Sequence, residues 1–210
     1  MSQSQYQDIE FLVFGDSNVG KTSLLKQISV EKFEEDYYPT TGIELIIKQI
    51  QIGDEILKFR LWEFPGYSNF KQFARMYYKR AQGLILLYDI TDYQSFKNIE
   101  IHLEEAIQHH DSLLNIILIG NKVDKDSKRQ VSIEEAMDYA NKKGIHFKEI
   151  SVKTKQNLNL TLEQCISDVL EKAKIQGIEL KKSINNNNQE TESQSLNLVN
   201  KLKQNLQKCY

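Results

Sequence analysis

Gly15-Asp16-Ser17-Asn18-Val19-Gly20-Lys21-Thr22 fit the pattern G-x-x-x-x-G-K-[ST] at every fixed position. The residue types suit phosphate. A glycine-rich turn lets successive backbone N–H groups point at anionic oxygens, and a following helix turns its positive end to the same anion. Lys21 adds a compact positive charge, Thr22 a hydroxyl able to ligate magnesium, and Ser23 continues the cradle into the next segment.

Such a loop works only between a strand and a helix, and both are predicted. Ile9 to Phe14 is an apolar run of strand length, and Ser23 to Ile28 has helical spacing. Residues 31–42 hold a proline and no period and read as a long loop. Ile43 to Gln51 and Glu55 to Trp62 flank Gly53-Asp54 as a hairpin. Leu84 to Tyr88, Ile116 to Ile119 and His146 to Ile150 read as further strands. They alternate with helices over 95–110, over 132–142 behind a Ser-x-x-Glu capping box, and over 157–174. In the last helix Cys165 shares the apolar face with Leu158, Leu162, Ile166, Val169 and Ala173, which makes it a core thiol. The expected architecture is α/β: a six-stranded, mostly parallel sheet with one antiparallel strand and helices on both faces. Ligands then bind beyond the carboxyl ends of the strands, where the loops after 14, 88, 120 and 150 converge.

Composition narrows the partners. The formal charge of −2, with no basic stripe, argues against nucleic acid. Two cysteines, far apart, and four histidines make no metal spacing. No apolar stretch reaches a membrane span and residues 1–8 lack a signal-peptide core, so the expected location is intracellular and cytoplasmic. Three regions are expected: a flexible N-terminus over 1–8, one domain over 9–175, and a low-complexity, disordered tail over 176–210.

Asn121-Lys122-Val123-Asp124, after a buried strand, resembles the guanine-specifying N-K-x-D of Ras-superfamily small GTPases, a P-loop G-domain fold. A carboxylate such as Asp124 can accept two hydrogen bonds from guanine N1–H and the 2-amino group, which adenine does not supply. Ser151-Val152-Lys153 is similar to the S-A-K loop of that superfamily, and Thr41 to Leu45, Leu57 to Trp62, Tyr77 to Ala81 and Leu87 to Thr91 resemble the stretches that mark Rab proteins. The resemblance spans residues 9 to about 174 and implies GTP, GDP and Mg2+ as cofactors. It implies a monomeric switch in vesicle traffic that recruits effectors and meets an exchange factor and a GTPase-activating protein. Carried over by position, Phe33 packs on the base, although a hydrophobic anchor closing the first helix suits it too, and Tyr38 lines the nucleotide. Thr22 and Thr40 ligate magnesium, with Glu63 behind a water. Thr40, Gly66 and Lys21 serve the γ-phosphate.

The departures are as informative. The Rab pattern W-D-T-A-G-Q-E is met here by Trp62-Glu63-Phe64-Pro65-Gly66-Tyr67-Ser68. Glu63 is a methylene longer than the usual carboxylate, Pro65 stiffens the loop, and Tyr67 replaces the water-orienting glutamine with a one-oxygen phenol, so slow hydrolysis is expected. Asn18 replaces a P-loop glycine, tolerably, because asparagine accepts positive φ. Rab proteins usually end in paired cysteines that carry prenyl groups; Cys209 is one candidate for lipidation, and one lipid holds a membrane only marginally. Leu198, Val199, Leu202 and Leu206 beside Lys201, Lys203 and Lys208 suit a short amphipathic helix or a solvated tail. Two readings follow: a Rab-type GTP/GDP switch, or a non-cycling subunit that holds nucleotide as structure.

Overall fold

The computed structural model describes residues 5–30, 42–52, 55–64, 77–109, 115–180 and 182–184. Its elements in chain order are β1 (Gln5–Phe14), α1 (Lys21–Val30), β2 (Glu44–Ile52), β3 (Glu55–Glu63), β4 (Gly83–Asp89), α2 (Tyr93–Lys97), α3 (Ile99–His109), β5 (Asn115–Asn121), a 3-10 helix (Val123–Lys128), α4 (Ile133–Lys143), β6 (His146–Glu149), α5 (Leu158–Gln176) and β7 (Lys182–Ile184). Strand order is β2-β3-β1-β4-β5-β6, with β7 beside β1. Among the described strands only β2 and β7 run antiparallel to their neighbours. The six predicted strands are all present.

Three local differences have physical causes. β1 begins at Gln5, inside the segment expected to be a flexible N-terminus, because Gln7 pairs with Leu57 on one side and Lys182 on the other. Arg60 then holds Asp8 at 3.0 Å. β7 comes from the segment assigned to the tail: Gly177 takes a left-handed turn (φ 65) that ends α5 and sends the chain back along the sheet. The helix expected over 95–110 is broken at Asn98, which caps α2 before α3 starts. The predicted cap of α4 is observed, with Ser132 Oγ accepting from the Glu135 N–H at 3.1 Å. The hairpin turn at Gly53-Asp54 lies outside the described residues.

Strand alternation divides the core between the two faces. Ile9, Phe11, Val13, Ile85 and Leu87 pack under α1 and α5 with Leu24, Leu25, Ile166 and Val169. Leu12, Leu84, Leu86 and Tyr88 pack against Phe96, Ile99, Leu103 and Ala136 on the other face. All seven residues of β4 are buried, as a strand covered on both sides requires. Cys165 lies in the first cluster, as its helical face predicted. The parallel strands β1, β4, β5 and β6 end at one edge, and register brings Asp89 level with Asn121 and Val13 level with Glu63. The carboxyl-end loops therefore meet.

Candidate functional site

The loop after β1 has the backbone that the cradle demands. Gly15 (φ 151) lies so close to β4 that a Cβ would stand 2.1 Å from the Leu87 carbonyl oxygen, so no side chain fits. Asn18 has φ 67, the left-handed value that asparagine tolerates. Ser17 and Asn18 are exposed at the rim while Val19 is buried in the core beneath. At the start of α1 the Lys21 ammonium is buried, donating to the carbonyls of Gly15 at 2.9 Å and Asp16 at 2.7 Å. Burial lowers its pKa from the ordinary lysine value, and the nearby carboxylates of Glu63 and Asp16 pull back. An anion in the cradle would add to that pull.

Thr22 donates its hydroxyl proton to Glu63 Oε1 at 2.7 Å. A hydroxyl and a carboxylate therefore meet beside Lys21, hard oxygens that suit magnesium, the first as a ligand and the second through a bound water. Among the described residues no group of three His, Cys, Asp or Glu side chains could hold a metal by itself.

Two side chains tie the second loop to the first. Asn121, at the end of β5 and 2% exposed, donates from Nδ2 to the Val19 carbonyl at 2.8 Å and accepts at Oδ1 from the Val152 N–H at 3.1 Å. Lys122, left-handed at φ 71, donates to the Asn18 carbonyl at 2.6 Å and pairs with Asp89 at 2.6 Å. Asp124 is exposed and accepts from the buried Ser151 hydroxyl at 2.6 Å, which leaves carboxylate lone pairs for a base. Val152 is buried with its N–H on Asn121, and Lys153 is exposed at the rim. The fold thus brings together Gly15 to Ser23, Glu63, Asn121 to Asp124 and Ser151 to Lys153. Phe33, Tyr38, Thr40, Pro65, Gly66, Tyr67 and Cys209 lie outside the described residues.

Two contacts were absent from the motif reading, although one of them involves Asp89 in the Leu87 to Thr91 stretch that it singled out. Asp16 accepts from Asn98 Nδ2 at 2.6 Å and from His102 Nε2 at 3.2 Å, so the C-cap of α2 and the helix α3 that follows hold this loop from outside. Burial works to raise the Asp16 pKa, but the bonds from His102 and Asn98 outweigh it and hold the carboxyl below its ordinary value. Asp89, at the end of β4, faces Lys122. Its spacing to Thr91 was the available signal, since Asp-x-Thr after a buried strand marks a side-chain-closed turn.

The sequence profile of the Ras family matches residues 10–171. GTP-binding protein ypt2 of Schizosaccharomyces pombe is 37% identical over 151 residues, covering 72% of this chain and 76% of its own length. Ras-related protein Rab-13 of Canis lupus familiaris is 34% identical, covering 78% and 81%, and Ras-related protein RABE1e of Arabidopsis thaliana is 35% identical, covering 83% and 84%. With the loops at 15–23 and 121–124 tied together at one edge of the sheet and these relatives over most of its length, the chain belongs to the Ras family, among the Rab-like small GTPases.

Proposed function

We propose that this chain is a guanine-nucleotide switch of the Rab type, which binds GTP and GDP with Mg2+, recruits effector proteins in membrane traffic and hydrolyses GTP slowly. The observation that carries the reading is the pair of ties, through Asn121 and Lys122, between the phosphate cradle and the base loop. One ligand with a phosphate at one end and a base at the other spans both.

In this reading Gly15 to Ser23 cradle the phosphates, with Lys21 neutralising them. Asp124, held by Ser151, reads guanine, Lys122 lies against the base, and the Ser151-Val152-Lys153 turn, with Phe33 and Tyr38, closes around the nucleoside. Mg2+ would be held by Thr22 and Thr40, with Glu63 behind them, and would supply positive charge to the phosphate oxygens. Thr40 and Gly66 sense the γ-phosphate, and exchange-factor, activating-protein and effector contacts fall on the segments around them. Peripheral membrane attachment would use Cys209. Among the described residues no helix is long and apolar enough to cross a membrane.

Slow turnover follows from Tyr67 at the position of the water-orienting glutamine. The names of the relatives favour the cycling switch over a non-cycling subunit. Purified protein should carry GDP or GTP that EDTA releases; protein without guanine nucleotide sinks the proposal, and nucleotide that EDTA leaves in place sinks the cycling switch. In single-turnover hydrolysis Tyr67→Gln should be faster than the parent, and equal rates refute slow turnover as a consequence of Tyr67.

A further inference from the structure

We propose that Asp89 is a positioning residue for nucleotide binding, acting through Lys122 to lock the base loop against the phosphate cradle. This rests on the reading of residues 121–124 as the base loop.

Asp89 is built for that task. It is the last residue of β4, level with Asn121 on the neighbouring strand, and buried. One carboxylate oxygen, Oδ1, accepts from the Thr91 N–H at 2.9 Å and the Thr91 hydroxyl at 2.8 Å. Its backbone N–H donates to Ser95 Oγ at 3.1 Å, which ties the residue to α2. With one oxygen and the main chain held, the other oxygen, Oδ2, has a single orientation, and it meets Lys122 Nζ at 2.6 Å. The same ammonium donates to the Asn18 carbonyl at 2.6 Å.

Lys122 is thus a knot between three segments: the end of β4, the base loop and the cradle. Its long stem carries much rotamer freedom, and a carboxylate that holds the head removes that freedom before the ligand arrives. The pair is shielded enough to resist screening, since the Lys122 and Asp89 side chains are 23% and 10% exposed. The resulting preorganisation should slow nucleotide release. Asp89→Asn is the informative change: it keeps an oxygen for the two Thr91 donors, but turns an amide N–H2 toward the ammonium, donor against donor.

The test is release of a methylanthraniloyl-labelled GDP from full-length protein, in a cycle of Asp89→Asn, Lys122→Met and the double variant. Asp89→Asn should speed release about tenfold in the parent, as expected for loss of one charge-assisted hydrogen bond, and leave the rate unchanged within about twofold in the Lys122→Met background. An equal acceleration in both backgrounds overturns the proposal, because Asp89 would then act through the turn alone. No effect of Asp89→Asn in the parent, or of Lys122→Met, overturns it as well. Should Asp89→Asn fail to fold, Thr91→Val loosens the same carboxylate and must show the same dependence on Lys122. Parent protein that binds no labelled GDP marks the separate failure of the nucleotide reading.

Discussion

Replacing Asn121 with alanine tests how the two loops are held. The side chain bridges the Val19 carbonyl and the Val152 N–H, both on residues no more than 2% exposed. Truncation strands a buried acceptor and a buried donor, each costing roughly 1–3 kcal/mol, so the expected loss is about 3 kcal/mol. For a chain of this size that lowers Tm by about 6–12 °C. A companion probes the contact from the other side: Gly20 has φ 105, and a Cβ there would stand 2.4 Å from Asn121 Nδ2. Gly20→Ala should therefore destabilise through both backbone strain and collision, and the collision should vanish when Asn121 is already alanine. Because bound nucleotide adds its own stabilisation, melting is measured with GDP and again after stripping with EDTA. The hydrogen-bond loss must appear in both conditions. A Tm change below about 2 °C in the stripped protein, or strict additivity of Gly20→Ala with Asn121→Ala, would refute the reasoning.

Cys165 should be inert to an aromatic disulfide reagent in native protein carrying Cys209→Ser, and should react on unfolding, because burial, seconded by the Asp168 charge, pushes its thiol up to about 12. The linkage has a definite sign. The unfolded thiol loses its proton above its ordinary value of 9.0 while the folded one keeps it, so stability falls as pH rises from there toward 12, by up to about 1.4 kcal/mol per unit. Cys165→Ala should flatten this part of the urea-denaturation profile, and an unchanged slope rejects the assignment. Asp16 contributes with the opposite dependence: its lowered pKa means stability present above the ordinary value of 3.8 and lost as pH falls through the folded value. His102→Ala should raise the Asp16 titration midpoint observed by NMR, and an unmoved midpoint would show that the contact with α3 does not govern that carboxylate.

The chemistry of this site was written in short runs of sequence. Gly15 to Thr22 and Asn121 to Asp124 stand out because, in the proposed reading, backbone amides, an ammonium and a carboxylate would each address one part of a ligand, which fixes residue type and spacing. Apolar periodicity gave the six strands and their order of appearance, since burial on one or both faces imposes a period of two or none at all. Other features needed the third dimension. Asn98 and His102 stand more than 80 residues from Asp16, and Asp89 more than 30 from Lys122, so only packing decides that they touch. Gln5–Gln7 and Lys182–Ile184 carry no strand pattern; they pair because the end of α5 delivers one beside the free edge of the other. Local sequence determined which groups could bind phosphate and a base. The parallel register of β1, β4 and β5 decided which residues hold those groups in place, because contacts between distant segments depend on strand order and helix docking, which no local pattern encodes.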